Sequence, residues 1–181
     1  MSLKLITPPA VLAVSLEAAR TSARIDGEEA DIELRQVIEQ HTSEAEHLTG
    51  RAFIEQTYRL TLDRFAGAIL LENPPIMAVV HVKFYDGDGI QQTLDPQDYI
   101  LDAESEPGYL VPAPGRAWPA TQARVNAVEV VYTCGYGADD AAVPPNAKGY
   151  ILGKVSEHFA PAGAPKSEFL HCLLDRLKVY A

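Results

Sequence analysis

The sequence predicts an α+β fold, with N-terminal helices, a central antiparallel β-sheet region and C-terminal helices packed as a helical bundle. Two observations lead to this prediction. Apolar residues recur at helical spacing before residue 50 and after residue 143, whereas apolar and polar residues alternate in the segments between them. The helices flank the strands instead of alternating with them, which is typical of an α+β order and not of parallel βαβ units.

Two helices are predicted in the first part of the chain. The first begins after Ser15, whose side-chain oxygen can accept from first-turn amides, and runs to about Arg24. The second helix carries one apolar stripe, and Gly50 is placed to end it. The stripe consists of Leu34, Val37, Ile38, His41, Ala45 and Leu48.

Alternating polarity after Arg51 predicts the start of a sheet. Its first strand has Tyr58, Leu60 and Leu62 on one face and Thr57, Arg59 and Thr61 on the other. Further strands are predicted at Ile69–Leu71 and Ile76–Tyr85. The turn Asp86-Gly87-Asp88-Gly89 favours the positive backbone dihedral angles of a tight hairpin, so residues 91–94 should return antiparallel.

Shorter strands are predicted at residues 99–101 and 109–111, followed by a proline-rich loop through Trp118. The last strand is predicted over residues 125–133. The segment Gly135-Tyr136-Gly137 follows it and allows the chain to leave the sheet. We expect these strands to form one contiguous antiparallel sheet.

Two C-terminal helices complete the prediction. Pro144 and Pro145 suit the first turn of a helix, because proline needs no amide partner there. After a break at residues 161–165, a last helix from about Ser167 should turn a leucine stripe toward the core. The stripe consists of Leu170, Leu173, Leu174 and Leu177. We therefore predict one domain over residues 1–181, helical over 1–50 and 143–181, with a β-rich insertion over 53–134.

Composition excludes several classes of function. The chain has 15 Lys and Arg residues against 25 Asp and Glu residues, a net charge of −10, which disfavours sequence-specific DNA binding. Cys134 and Cys172 lack the spacing of a disulfide framework or a zinc module. No apolar run approaches the roughly 20 residues that cross a bilayer. We expect a soluble, cytoplasmic protein without membrane contact.

Sequence motifs for catalysis or cofactor binding are weak. Asp86 and Asp88 could share a hard cation, but the further ligands of a calcium loop are missing, and a hairpin turn explains the motif better. The chain has neither a Gly-x-Ser-x-Gly elbow nor a phosphate loop. We predict no catalytic residue, cofactor or metal. The competing hypothesis is a metal-dependent hydrolase that uses Asp63, Asp86 and Asp88 with a histidine such as His81.

The charge distribution predicts an acidic surface. No basic residue occurs between Lys83 and Arg116, yet seven carboxylates fall there, namely Asp86, Asp88, Asp95, Asp98, Asp102, Glu104 and Glu106. Such residues can form solvated loops that keep the protein soluble. Alternatively, they face a DNA channel or an electropositive partner in an assembly.

Aromatic residues near prolines and glycines suggest a second candidate surface. Tyr109 and Trp118 belong to an irregular region, and Tyr136 lies between two glycines. Partly exposed aromatic residues are common interface anchors, although Trp118 can equally cap one end of the core. A small adaptor that binds a partner through the loop from Tyr109 to Trp118 is therefore a further hypothesis.

Several segments also occur in a specific order and spacing. They are LKLITPPAV, His47-Leu48-Thr49-Gly50-Arg51, Gln56–Leu62, Asn73-Pro74-Pro75-Ile76, Leu94-Asp95-Pro96-Gln97-Asp98-Tyr99, Trp118-Pro119 and VVYTCGYGADDAAVPPNAKGYIL. In these segments, which extend over nearly the full chain, the sequence resembles the head–tail connector, or adaptor, proteins of tailed phages and prophages. It departs from many of them at residues 161–165, which interrupt the C-terminal helical region.

The resemblance implies a structural role without catalysis. Copies of such a subunit form a ring between the portal and the tail, extend the DNA channel and offer a docking surface to the next tail-side protein. The implied partners are the chain itself, the portal protein and a tail-side connector protein, while DNA passes without specific binding. The implied locations are the host bacterial cytoplasm during assembly and the head–tail junction of the virion.

Overall fold

The computed structural model describes residues 1–180. Contacts within that range divide the chain into two compact units. The β unit comprises residues 1–8 and 56–135, and the helical unit comprises residues 9–55 and 136–180. Helices and antiparallel strands both make up large parts of the chain, which confirms the predicted α+β class. Within these residues, no helix has both the length and the apolar character that a membrane crossing requires.

The N-terminal residues form a strand, so the predicted helical stretch over residues 1–50 is wrong at its beginning. Strand β1 (Ser2–Thr7) pairs antiparallel with strand β2 (Gln56–Leu62), and Leu3 lies opposite Leu60. The segment is too short for a stable isolated helix and is followed by prolines. Because its partner strand is distant in sequence, the local pattern does not reveal the pairing.

The β unit contains two sheets, which corrects the expectation of one contiguous sheet. Besides β1 and β2, the strands are β3 (Ile69–Leu71), β4 (Ile76–Tyr85), β5 (Gln91–Thr93), β6 (Tyr99–Asp102), β7 (Gly108–Pro112) and β8 (Val128–Cys134). A five-stranded antiparallel sheet has the order β1-β2-β8-β4-β5, and a three-stranded sheet has the order β3-β7-β6 among the described residues. Strand β8 begins three residues later than predicted, because Asn126 adopts a left-handed conformation with φ of 55°.

The predicted hairpin turn after β4 is confirmed. Strand β5 returns antiparallel to β4, and Tyr85 lies opposite Gln91. The Asp86 side chain accepts hydrogen bonds from the amides of Asp88 and Ile90 at 3.1 and 3.0 Å. Gly89 supplies the positive φ, at 79°. The carboxylate therefore shapes the turn through its own backbone.

Helices α1 (Leu16–Ala23), α2 (Asp31–Thr49) and α3 (Pro145–His158) build the helical unit. Ser15 caps α1 as predicted by accepting from the Ala18 amide at 3.1 Å, and Gly50 ends α2 with φ of 68°. Arg20 Nε and Nη2 donate to the two carboxylate oxygens of Asp31 at 2.7 and 2.6 Å, which ties α1 to the start of α2.

The core of the helical unit lies between these helices. Most of the predicted α2 stripe is buried, although Leu48 in the last turn is 39% exposed. The largest buried side chains of this core are Leu34, Ile38, Phe53, Ile54, Tyr150, Ile151 and Leu174. Burial of each such side chain stabilises the fold by about 1.5–3 kcal/mol relative to exposure.

The last predicted helix is a 3₁₀ segment over Leu170–Leu177. Its leucines pack on the helical core as expected, since Leu174 is 1% exposed and Leu170, Leu173 and Leu177 are half-buried against it. No side chain caps the segment at Phe169. Without a cap, a short segment gains little from α-helical hydrogen bonding, and a tighter turn still places every third residue on one face.

Candidate interaction surface

The five-stranded sheet has one face in the core of the β unit and one face turned away from it. Leu60, Val130 and Tyr132 point into the core and are at most 1% exposed. Because side chains alternate along a strand, the neighbouring residues Arg59 and Glu129 point to the other side and keep solvent contact. We call that side the open face. Its members are Ser2, Lys4, Ile6, Thr7, Thr57, Arg59, Thr61, Met77, Ala78, Val80, His81, Lys83, Glu129, Val131 and Thr133.

Irregular pairing adds apolar side chains to the open face. The register of β4 against β8 shifts between Val79 and His81, so two residues instead of one separate the positions that face the core. Both intervening side chains, Val80 and His81, are then turned outward. Two further shifts act in the same way, and the exposed fractions are 36% for Ile6, 44% for Met77 and 57% for Val80.

Basic side chains surround a single carboxylate on the open face. Glu129 lies on the central strand β8, with Arg59 Nε 3.3 Å from its Oε2 and His81 Nε2 3.1 Å from its Oε1. Lys83 is directly opposite Glu129 in the register, and Lys4 is directly opposite Arg59. The open face therefore holds three lysine or arginine side chains against one glutamate, in a chain whose net charge is −10.

The predicted acidic residues follow the two outer strands β5 and β6 and the turns beside them. The turn between β6 and β7 lies near the start of β4, since a Cβ atom on Gly108 would come within 2.8 Å of the Ile76 side chain. The turn between β4 and β5 lies at the other end of this ten-residue strand. We call this group of carboxylates the acidic edge, made of Asp86, Asp88, Asp95, Asp98, Asp102, Glu104 and Glu106.

Several carboxylates of the acidic edge hold the backbone of their own turns. Asp95 accepts from the Gln97 amide at 2.9 Å, and Asp102 accepts from the amides of Glu104 and Ser105, both at 3.1 Å, and from the Ser105 hydroxyl at 2.7 Å. These hydrogen bonds, with the Ser105 hydroxyl foremost, lower the pKa of Asp102. Asp98 Oδ1 lies 3.4 Å from Arg116 Nε. Asp88 and Glu104, in contrast, are exposed, in the turn after β4 and the turn after β6.

The three aromatic candidates belong to two different units of the fold. Trp118 is half-buried, stacks on Phe65 with ring centroids 4.8 Å apart, and donates from Nε1 to the Gly67 carbonyl at 3.3 Å. Tyr109 lies half-buried on the middle strand β7 of the smaller sheet. Tyr136 belongs to the helical unit, where its ring lies 6.5 Å from that of Phe53. The contacts of Trp118 favour its role as a core cap over that of an exposed anchor.

The residues required by the hydrolase hypothesis engage separate partners. Asp63 accepts from the Asn126 amide at 2.9 Å, the Asp86 carboxylate holds its own turn, and His81 contacts Glu129. Among residues 1–180, no three histidine, cysteine or carboxylate side chains are grouped so that they could hold a metal ion. The geometry therefore gives this hypothesis no support.

Sequence reasoning places single residues of the open face but misses the face itself. The alternation along β2 assigns Arg59 to the polar side, as observed. The neighbours of Arg59 come from β1 and β8, and those of Glu129 from β2 and β4. Strand order and two register shifts in β4 decide which of these residues meet, and neither is visible in a local pattern.

Comparison with known proteins gives a likeness of fold. No protein-family model matches the sequence, and no curated protein matches it either. A chain in the neck of an empty gene transfer agent particle, computed with C6 symmetry, superposes with a TM-score of 0.82 at 20% identity, over 100% of this chain and 97% of that one. A chain from the virion of the native particle gives 0.81 at 20% identity, with the same coverage. A chain in the neck of the native particle, computed with C12 symmetry, gives 0.70 at 19% identity.

Proposed function

We propose that this chain is a non-enzymatic structural subunit of the head–tail connector of a tailed phage, a prophage or a related particle. Copies form a ring between the portal and the tail and extend the DNA channel. The observation that supports this most strongly is the likeness of fold along the full chain to proteins in gene transfer agent virions and necks. Two of those necks were computed with rotational symmetry, which fits an array of identical subunits.

The charge of the chain agrees with a conduit for DNA. A protein grips the duplex by replacing phosphate counterions with lysine and arginine side chains. Residues 84–115 contain no such side chain, and the chain carries a net charge of −10. A ring built from copies with this net negative charge repels the duplex and lets it pass. The portal protein, a tail-side connector protein and further copies of the chain are the partners in this proposal.

Incorporation into particles tests the proposal. A tagged copy is expressed in particle-producing cells, and particles are then purified from wild-type cells and from cells without the portal gene. We expect the chain in the wild-type particles and its loss from the sedimenting fraction without the portal. Mass photometry at nanomolar concentration, far below that needed for self-association, should also show a complex when the portal is added to the purified chain. Particles without the chain, together with no complex with the portal, would contradict the proposed function.

A further inference from the structure

We propose that the open face of one copy binds the acidic edge of a second copy, so that neighbours join head to tail. The inference rests on the proposed function, which requires identical subunits side by side. It goes further because it assigns the two contacting surfaces. Since the two surfaces are different patches of the same chain, the contact is heterologous and closes into a ring at a suitable rotation angle.

The open face has the composition of a binding surface. Its exposed apolar residues Ile6, Met77 and Val80 all lie at irregularities of strand pairing, which turn them away from the core. Lys4 and Lys83 lie beside them on the same side of the sheet. An exposed apolar group bordered by cations fits a partner that offers both apolar side chains and carboxylates.

The acidic edge offers both. Ile90 and Ile100 are 59% and 46% exposed and lie beside the turn after β4 and on the outer strand β6. Asp88 and Glu104 flank them as exposed carboxylates. Strand β5, whose three residues are all exposed, is the outer strand of its sheet. Each patch therefore supplies the charge and the apolar surface that complement the other patch.

A protein surface suits the open face better than DNA does. Glu129 lies at the centre of the basic group, where it would repel a phosphate. The side chains of Met77 and Val80 are exposed. Contact with a hydrated phosphate backbone would not bury their apolar surface, whereas burial against isoleucines would stabilise the contact. A second copy supplies such isoleucines next to carboxylates.

Paired charge reversals test the contact. The face variant carries Lys4→Glu and Lys83→Glu, and the edge variant carries Asp88→Lys and Glu104→Lys. Arg64→Glu, at an exposed position after β2, is the matched control for charge reversal in the β unit. Because Lys83→Glu faces Glu129 across the strands, a neutral variant with Lys4→Gln and Lys83→Gln accompanies it, and thermal unfolding checks each protein.

Sedimentation velocity then measures self-association up to millimolar protein concentration, at low and high salt. We expect the wild-type chain and the control to associate, more strongly at low salt. The association constants of the face variant and of the edge variant should each be lower than that of the wild type by roughly tenfold or more. The association constant of the neutral variant should also be lower than that of the wild type. A mixture of the face and edge variants should recover association, because both kinds of contact then pair opposite charges.

The other outcomes overturn the proposal. A wild-type chain that stays monomeric at millimolar concentration, or variants that associate like the wild type, would exclude this contact. Binding of duplex DNA by the wild type, lost in the face variant, would assign the open face to nucleic acid instead. The proposed function fails separately: face variants that enter particles as well as the wild type leave the connector role intact and refute only the contact.

Discussion

Individual carboxylates of the acidic edge have a structural role besides their charge. Asp86 accepts from the Gln92 side chain at 2.9 Å and from amides of its own turn, Asp102 accepts from the Ser105 hydroxyl and from amides of its own turn, and these hydrogen bonds lower the pKa of both side chains. The lowered pKa keeps both groups ionised over a wider pH range. The turns that shape the β unit and the negative potential along its edge therefore depend on the same atoms.

Replacing Asp102 by asparagine should reveal this role through pH. The native pKa of Asp102 lies below its value in the unfolded chain, so the carboxylate stabilises the fold at every pH above the unfolded value, about 3.9. That contribution is lost as the pH falls through the native pKa. Urea unfolding should show Asp102→Asn less stable than the wild type at pH 7 and equally stable in strong acid. Glu104→Gln is the control, because it removes a charge but no hydrogen-bond acceptor of the turn. An equal pH-dependent loss of stability in that control would contradict the explanation.

The close approach of neighbouring atoms leaves no room for a Cβ atom at Gly108 in the β unit. A Cβ atom there would lie 2.8 Å from Ile76 Cγ1 and 3.0 Å from the Asp102 carbonyl oxygen. We expect Gly108→Ala to lower the free energy of unfolding by about 1–3 kcal/mol, measured by chemical denaturation. Gly67→Ala meets no atom within 4 Å and should change stability by less than about 0.5 kcal/mol. Equal effects of the two substitutions would show that packing at Gly108 is not the cause.

At the scale of elements, the 3₁₀ segment Leu170–Leu177 is part of the helical core. Leu174 is 1% exposed, and Arg51, itself 7% exposed, donates from Nε to the Leu177 carbonyl. We expect Leu174→Ala to destabilise the protein by about 2–5 kcal/mol, because it leaves a cavity. Phe169→Ala is the control, since Phe169 is 76% exposed. If thermal and chemical unfolding moved equally in both variants, the segment would not belong to the core.

The elements also show where sequence reasoning succeeds. Helix α2 and the turn after β4 are specified locally, by an apolar stripe closed by Gly50 and by Asp86 with Gly89. Strand β1 is not specified locally, because two helices separate it in the sequence from β2, the strand with which it pairs. The 3₁₀ form of Leu170–Leu177 shares its leucine spacing with an α-helix, so the pattern identifies the buried face but not the helix type.

At the scale of the whole molecule, the sequence predicts an acidic surface and the structure adds a basic one. The seven carboxylates lie in a contiguous stretch of sequence and are therefore recognisable in it. The open face draws its residues from β1, β2, β4 and β8, and only the folded sheet brings Arg59 and Lys83 beside Glu129, with Lys4 opposite Arg59. A chain with opposite charges on two different patches is suited to repeated association with itself.

Cryo-electron microscopy of purified particles tests the connector role most directly. A reconstruction of the neck from particles that contain the tagged chain would show its position and its neighbours. We expect a closed ring of identical copies between the portal and the tail, with the open face of each copy against the acidic edge of the next. A neck without density for this fold, or a single isolated copy elsewhere in the particle, would contradict it.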